Sequence, residues 1–470
     1  SHSHIYGSSG VYNTELNVAS ARGCTSTFID TFIIGTIPEA GFNWLFATLG
    51  DNTRFSDTTA SITGLVPSDF IDSLTWVFGD GSTPISGAVL DVDTVAHTYQ
   101  NIGLYQPVLY VSTNNGCVDS VTTNVYILPK IEDYPYYQRF DDGTGGWVPN
   151  PNIVDNYWEW KNPDGQVIQH SDPNNKAWVT ELDSIYQNSK DAWVYSPTFD
   201  FTSLEKPFLA FRYWSNSRVS DGAVIQYSTS TIDSLPNWTV LGGVNTGLNW
   251  YDVDNLVSQP GKQSGFEGFG WTEVNVAGWK VARHKLDELI GEPKVRFRIA
   301  FALSPGSISN DGFAFDDFFI GERQKRVLVE SFTHVNDILY DQVQGNVYNR
   351  IDSNNLDVIL VEYHNEIPTT GLPSNDAFNL FNPADPSART LYYQFSETGK
   401  MVVDGNIKET TTNGLDLTWT TNDFNLAMLE DPIFNVAIDE FTVTGNTVNV
   451  SATIKARKPM PAKLRKVYVA

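Results

Sequence analysis

The sequence predicts a mainly β chain, in which several β-sandwich domains precede one α/β domain and the start of a further β-sandwich. Three observations predict this class. The 470 residues are too many for one core, and 13 Trp, 21 Tyr and 27 Phe beside 35 Gly and 23 Pro are typical of sandwiches joined by turns. An opening segment recurs later in the chain, and a clear helical period begins only after residue 326.

The opening segment recurs 93 residues later without a gap. Eight residues in register are too many for chance. They predict two copies of one β element, in which a Gly-centred turn precedes an alternating strand. The matched pairs are His4 and His97, Tyr6 and Tyr99, Gly10 and Gly103, Tyr12 and Tyr105, Leu16 and Leu109, Val18 and Val111, Gly23 and Gly116, and Cys24 and Cys117.

The second copy follows the stretch LTWVFGDGS, in which Gly79 and Gly81 permit a tight turn. Trp76 and Phe78 share one face of the strand before it. This stretch, followed by His-x-Tyr and Gly-x-Tyr, resembles the PKD domain, an immunoglobulin-like sandwich of extracellular proteins. The resemblance implies tandem immunoglobulin-like sandwiches, with residues 1–26 as the C-terminal part of one PKD-like repeat and 27–130 as a complete one. We expect the rest of the first repeat to lie in a longer polypeptide or to be supplied by another component.

The only two cysteines occupy equivalent positions in successive repeats. They provide no disulfide framework and no zinc-site spacing. We therefore expect Cys117 to be a free, buried thiol, while a bridge between Cys24 and Cys117 stays open because sandwich ends can lie close together.

Residues 131–323 carry a different pattern, from YYQRFDDGTGGW near the start to DGFAFDDFFIGE at the end. This order resembles MAM-type and cleaved-adhesin jelly rolls. The resemblance implies that the first and last strands are neighbours, which would bring Asp141 and Asp142 close to Asp316 and Asp317. Oxygen ligands without His or Cys favour a structural calcium ion. The alternative is that these aspartates cap turns.

Tryptophans of the same region could stack on sugar rings, although a core role is favoured for most of them. The candidates are Trp147, Trp158, Trp160, Trp250 and Trp271.

Residues 324–430 change to an α/β rhythm. RVLVESFT predicts a buried strand, and apolar residues at four-residue spacing from Val335 to Ile351 predict a helix. LDVILVEYHNE and KMVVDGN predict two more strands, separated by a short helix in SARTLYYQFSET. The region resembles a degenerate thioredoxin-like domain, in which the two cysteine positions fall near Asp337 and Tyr340. Since both thiols are absent, redox activity is excluded, and His334 and His364 are interpreted as structural residues. Residues 431–470 predict the start of a β-sandwich.

Composition and motifs exclude several classes of function. The net charge of −25 would repel nucleic acid. No apolar run is long enough to span a membrane. No metalloprotease, nucleophile-elbow or phosphate-loop motif is present. The sequence therefore predicts that the chain is not an enzyme.

Together the modules resemble multidomain secreted surface proteins of the Bacteroidetes type. The resemblance implies a non-catalytic adhesive or structural protein, located extracellularly or at the cell surface after export across the outer membrane by type IX secretion. Its expected partners are other protein subunits, cell-surface components or glycans, with assembly into a homo-oligomer or filament. Two alternatives stay open: the accessory region of a secreted peptidase or glycoside hydrolase whose catalytic domain lies outside this chain, and a component of the secretion or gliding apparatus.

Overall fold

The computed structural model describes most of the chain. It covers residues 3–45, 47–60, 62, 66, 69–150, 153, 156–170, 172, 174–180, 190–230, 237–261, 268–272, 278–305, 310–335, 348–349, 351, 357–366, 376–396, 398–408 and 419–457. The predicted fold class is confirmed, because strands dominate throughout and form several separate sheets.

The chain begins with a two-stranded antiparallel hairpin of β1 (Gly10–Ala19) and β2 (Thr25–Ile34). Its strands alternate as predicted, with Leu16 opposite Phe28 on one face. Nothing else in the described part of the chain pairs with either strand. The outer edges of both strands are therefore unpaired within the described chain, and most of their side chains are exposed.

The next ten elements form a sandwich with one shared core. Its sheets have the orders β3-β4-β7, β10-β9-β5-β6 and β11-β8. Phe55, Trp76 and Leu109 are fully buried at the centre of the core. The elements are β3 (Phe42–Leu45), β4 (Thr53–Asp57), β5 (Ile71–Val77), β6 (Ile85–Ala88), α1 (Val89–Val92), β7 (Thr94–His97), β8 (Gly103–Tyr105), β9 (Val108–Thr113), β10 (Val118–Thr122) and β11 (Val125–Ile127).

Two large sheets pack face to face in the following region. One has the order β12-β17-β22-β19-β20 with β14 on β17, and the other has the order β15-β16-β23-β18-β21 with β13 on β23. The strands are β12 (Lys130–Ile131), β13 (Tyr136–Gln138), β14 (Val148–Pro149), β15 (Trp158–Lys161), β16 (Ala177–Thr180), β17 (Lys190–Phe199), β18 (Pro207–Asn216), β19 (Gly222–Ser228), β20 (Thr239–Val240), β21 (Lys280–Lys285), β22 (Val295–Leu303) and β23 (Gly312–Glu322).

Aromatic residues fill the space between these two sheets. The first strand, β13, pairs with the last, β23, in the register Tyr136 opposite Ile320. The linker from the preceding sandwich continues into the first sheet, because β12 pairs with β17 in parallel. The two domains are therefore joined by a hydrogen-bonded strand.

The α/β region has a three-stranded sheet of order β25-β24-β26. β24 (Val327–Thr333) and β25 (Val358–His364) are parallel as the strand–helix–strand pattern implies, and β26 (Lys400–Val403) is antiparallel to β24. Helices α2 (Ala377–Phe381), α3 (Ala384–Tyr393) and α4 (Thr421–Leu429) follow. Most of the helix predicted from Val335 to Ile351, with Asp337 and Tyr340, lies outside the described residues. The assignment to the thioredoxin-like family stays a prediction.

A second exposed hairpin, β27 (Phe434–Thr444) with β28 (Thr447–Ala456), ends the described chain. Residues 458–470, including the last predicted strand, lie outside the described part. Both cysteines are free thiols, Cys24 exposed and Cys117 half-buried rather than buried. No helix among the described residues is both long and apolar enough to cross a bilayer.

Candidate functional site

The outer face of the second jelly-roll sheet carries a strip of aromatic and charged side chains. Strand alternation along β18 turns Leu209, Phe211 and Tyr213 into the core, where they are buried. The residues between them therefore point outward. We call the outward set the outer strip: Tyr137, Phe208, Arg212, Trp214, Trp279, Asp317 and Phe319.

One end of the outer strip is an aromatic group. The rings of Phe208 and Phe319 lie 5.2 Å apart, and those of Tyr137 and Phe319 lie 6.3 Å apart in an edge-to-face arrangement. Tyr137 is 53% exposed although it is large and largely apolar. This group offers accessible ring surface for stacking.

A charged pair occupies the middle of the outer strip. Arg212 Nη1 lies 3.3 Å from Asp317 Oδ2, and the Tyr137 hydroxyl donates a 2.6 Å hydrogen bond to Asp317 Oδ1. Partial burial and this bond to a carboxylate raise the pKa of Tyr137 to about 12. Tyr137 therefore stays a neutral donor at physiological pH, and Asp317 has its two oxygens held by different partners.

The other end of the outer strip is a pair of tryptophans. The rings of Trp214 and Trp279 lie 6.0 Å apart, and the Arg212 guanidinium lies 5.2 Å from the ring centre of Trp279. Both indoles are partly exposed. The outer strip thus has aromatic surface at both ends and a charged pair between them.

A groove of about 490 Å³ runs over the first aromatic group and the charged pair. Its opposite wall is the end of α4 and the segment after it. Arg283 Nη1 donates 2.8 Å bonds to the Leu429 carbonyl and to Asp431 Oδ1, which holds this wall against β21. Arg457 donates to Gln324 Oε1 at 3.0 Å and closes one end. The groove mixes guanidinium and carboxylate groups with apolar surface, as ligand sites usually do.

Asp316 lies below the strip and is 1% exposed. Burial and the charge of Asp317 raise the pKa of Asp316 to about 7. Its Oδ1 accepts a 2.8 Å bond from the Asp317 main-chain N–H. Asp317 adopts a positive φ of 52° at an irregularity in the pairing of β18 with β23.

The four aspartates predicted to bind calcium have different surroundings. Asp141 pairs with Arg139 at 3.2 Å, and Asp142 is exposed. Asp316 is buried, whereas Asp317 is engaged by Arg212 and Tyr137. Across the described ranges, no group of three or more His, Cys, Asp or Glu side chains could hold a metal ion. Calcium at these residues stays a prediction.

The tryptophans considered for sugar stacking are mostly core residues. Trp147, Trp158, Trp250 and Trp271 are at most 3% exposed, and Trp160 packs half-buried against the same core. The aromatic residues of the outer strip are partly or largely exposed and were not among these candidates: Tyr137, Phe208, Phe319, Trp214 and Trp279. Alternation in PFLAFRYW could have indicated Phe208, Arg212 and Trp214, but nothing in the sequence linked them to Tyr137 or Trp279.

The two histidines of the α/β region have buried or half-buried surroundings. His364 Nδ1 lies 3.0 Å from Asp376 Oδ2, and His334 is 2% exposed. Asp376 also accepts main-chain bonds from Val335, Phe378 and Asn379, which fixes the start of α2. These contacts agree with the structural role inferred from the sequence.

Comparison with known proteins supports the PKD assignment. The family model of the PKD domain matches residues 47–127, so the PKD prediction is confirmed for this part of the chain. No curated protein sequence matches the chain.

Three of the solved structures to which parts of the chain are similar are as follows. The PKD1 domain of Vibrio anguillarum Epp is 18% identical with a TM-score of 0.17, over 20% of this chain and 96% of that one. The K1 cleaved adhesin domain of Lys-gingipain from Porphyromonas gingivalis W83 is 12% identical with a TM-score of 0.24, over 41% and 100%. The Caldicellulosiruptor saccharolyticus module CBM27-1, solved in complex with mannohexaose, is 14% identical with a TM-score of 0.24, over 41% and 99%.

Proposed function

We propose that this chain is a non-catalytic extracellular binding and structural protein whose jelly roll holds a glycan chain along the outer strip. The observation that carries the proposal is the strip itself, in which accessible aromatic rings flank the Arg212–Asp317 pair. Sugar rings have an apolar face that stacks on aromatic side chains. A guanidinium beside a carboxylate supplies the donors and acceptors that vicinal hydroxyls require.

The charge balance of the groove favours a neutral glycan. Four arginines and four acidic residues line it: Arg212, Arg283, Arg323 and Arg457, with Asp317, Glu322, Glu430 and Asp431. Equal numbers of opposite charges repel neither an acidic nor a basic sugar strongly, but they leave no excess charge to attract one. Hydroxyl-rich, uncharged chains match this mixture of donors and acceptors.

The test compares the retention of the protein on a panel of immobilised neutral polysaccharides with that of three variants. Tyr137→Ala and Trp279→Ala should each weaken binding about two- to tenfold, because each removes one stacking surface. Tyr110→Ala is the matched control, since Tyr110 is 50% exposed on the separate PKD sandwich. Retention of the unaltered protein by none of the polysaccharides, or an equal loss in Tyr110→Ala, would contradict the proposal.

We further propose that the protein acts outside the cell, at a bacterial surface, after export across the outer membrane by type IX secretion, and that it associates there with other protein subunits. Supporting this are the PKD match and the sandwich-rich architecture. Protease added to intact cells should digest the protein. Protection until the cells are lysed would argue for an internal location.

The absence of catalysis is also a proposal. It rests on the lack of a nucleophile–base or two-carboxylate arrangement in the outer strip, where Asp317 is bonded to Arg212 and Tyr137. The isolated protein should retain a polysaccharide without releasing reducing ends. Release of soluble sugars during binding would instead assign it to the glycoside hydrolases.

Calcium is proposed as a stabiliser of the jelly-roll edge at Asp141, Asp142, Asp316 and Asp317. If it binds there, the melting temperature of the jelly roll should fall when a chelator is added and recover with excess Ca²⁺. Asp142→Asn, which changes the exposed member of the set, should reduce that response. An unchanged melting temperature in the unaltered protein would exclude the site.

A further inference from the structure

Helix α4 packs against two regions of the protein at once. Phe424 is fully buried and Met428 is 6% exposed, and both belong to the core of the α/β region together with Val327 and Val329 of β24. The same helix lies against β21 of the jelly roll. The core of the α/β region therefore sets the position of a helix that reaches the surface of the jelly roll.

The first turn of α4 is fixed by polar contacts. The Thr420 N–H donates to Asp423 Oδ2 at 2.7 Å, and the Asp423 N–H donates to Thr420 Oγ1 at 3.3 Å, which completes a capping box. Lys408 Nζ also lies 2.6 Å from Asp423 Oδ2. A capped first turn resists fraying, so α4 is a firm support for the residues at its other end.

The residues at that other end are held by two cations. We call them the wall segment: Met428, Leu429, Glu430, Asp431 and Pro432. Arg283 Nη1 of β21 donates to both the Leu429 carbonyl and Asp431 Oδ1, and its side chain is only 18% exposed. Lys325 Nζ lies 2.8 Å from Glu430 Oε2 and 2.8 Å from Asp404 Oδ2. Bonds from a cation to the last carbonyls of a helix and to a carboxylate are among the stronger polar contacts.

The wall segment faces the outer strip across the groove of about 490 Å³. All five of its residues line this groove, together with Phe208, Arg212, Asp317 and Phe319 of the outer strip. A ligand lying in the groove would therefore contact the jelly roll and the end of α4 at the same time. The groove is shared between two regions that have separate cores.

We propose that the α/β region sets the affinity of the groove for its glycan, by holding the wall segment against the jelly roll through Arg283. This inference rests on the proposed function of the outer strip. Arg283 is then a positioning residue, which acts on the ligand through Leu429 and Asp431. Because coupling between two sites is reciprocal, a bound glycan should in turn stabilise α4 and the α/β core.

The first experiment measures the retention of Arg283→Gln on the polysaccharide that retains the unaltered protein most strongly. Retention should weaken about three- to tenfold, because two charge-assisted bonds to the wall segment are lost. Lys206→Gln is the matched control. It removes the same charge and breaks another ion pair between the two regions, Lys206 Nζ with Asp357 Oδ2 at 2.6 Å, but neither residue lines the groove. Its retention should not change.

A second variant separates positioning from the charge of the groove. Asp431→Asn keeps the guanidinium but weakens its bond to the wall segment, and it changes the charge of the groove in the opposite direction. Positioning predicts weaker retention for Asp431→Asn as well, and no further loss when both substitutions are combined. A direct charge effect on the ligand would move the two single variants in opposite directions.

Hydrogen exchange provides the readout that a loss of stability alone would not reproduce. Saturating polysaccharide should slow exchange at the amides of Phe424–Leu429 in the unaltered protein and in Lys206→Gln. In Arg283→Gln at equal occupancy this protection should be much smaller, because the wall segment is no longer tied to β21.

Three results would overturn the inference. They are unchanged retention of Arg283→Gln, an equal loss in Lys206→Gln, and exchange in α4 that the polysaccharide leaves unaltered. If Tyr137→Ala weakens retention while Arg283→Gln does not, only this inference fails. If no polysaccharide retains the unaltered protein, the proposed function fails and this inference fails with it.

Discussion

The two repeats differ in their surroundings far more than in their local structure. Gly23 and Gly116 have φ values of 86° and 80° at the same place in the turn. The rings of Tyr6 and Tyr12 lie 4.2 Å apart, and those of Tyr99 and Tyr105 lie 4.3 Å apart. Yet Leu109 is fully buried, whereas Leu16 is 59% exposed.

This difference separates two kinds of physical cause. Turn geometry, strand register and the stacking of nearby rings depend on residues close in sequence, so they recur wherever the pattern recurs. Burial depends on strands from elsewhere in the chain, and within the described residues β5 provides such a strand for the second repeat. The following predictions use matched substitutions to test this separation.

The largest expected effect is a loss of stability when a core residue of the PKD sandwich is truncated. Leu109→Ala should lower the free energy of unfolding of the PKD sandwich by about 2–5 kcal/mol, because it leaves a cavity in a packed core. Leu16→Ala should change the stability of the first hairpin by no more than about 0.5 kcal/mol, because the side chain is mostly solvated. Native-state hydrogen exchange at β9 and at β1 measures each effect separately. Comparable losses would mean that the face of the first hairpin is covered in solution.

The intermediate effect should be equal in the two repeats. Gly23→Ala and Gly116→Ala would each force an alanine into the left-handed region, at a cost of about 1–2 kcal/mol. Space is not a factor, since a Cβ at either position would meet nothing within 4 Å. Exchange rates of the turn amides should rise equally in both variants.

Gly7→Ala is the control for this pair, because a Cβ there also meets nothing and Gly7 has no positive φ. It should leave exchange unchanged. A much larger effect at Gly116 than at Gly23 would show that tertiary contacts, rather than the local turn, set the cost.

The smallest effect is a pH dependence confined to the second repeat. Burial disfavours the Asp80 carboxylate, but hydrogen bonds from Ser82 and the contact with His97 outweigh it and lower the pKa from 3.8 to about 2. Because the folded value lies below the unfolded one, this stabilisation is complete above pH 4 and is lost as the pH falls towards 2.

The measurement is the stability of the PKD sandwich as a function of pH in the unaltered protein and in Asp80→Asn. The variant should lose the part of the acid dependence that Asp80 contributes, and the first hairpin should show no change between the two proteins. A pH profile that Asp80→Asn leaves unaltered would mean that the contact with His97 contributes nothing to folding.

The jelly roll follows the same division between local and distant causes. Alternation along β22 places Val295, Phe297, Ile299 and Phe301 on one face, and all four are fully buried. Alternation alone does not predict whether the opposite face of β22 is buried. Arg298 is buried as well, with its guanidinium 4.4 Å from the ring centre of Trp193 and bonded to Gln226 and Gly261. Such complete burial of an arginine depends on the aromatic rings that cover it, and these come from other strands.

The candidate site is the part of the protein that the sequence predicted least well. The Arg212–Asp317 pair joins residues 105 positions apart, and the Tyr137–Asp317 bond joins residues 180 apart. The sequence drew attention to Asp317 through its Asp-Asp pair, as a candidate calcium ligand. Strand pairing also places Asp317 beside a guanidinium and a phenol, which no local pattern indicates.

The sequence by itself determined the repeat, its turns, the alternation of the strands and the change to an α/β rhythm, because each depends on periodicity or on residues a few positions apart. Only the tertiary structure decided which copy of the repeat is buried, which tryptophans fill the core and which side chains form the outer strip. Those features require strands that are distant in sequence to lie side by side, and the order of strands in a sheet is set by packing of the whole domain.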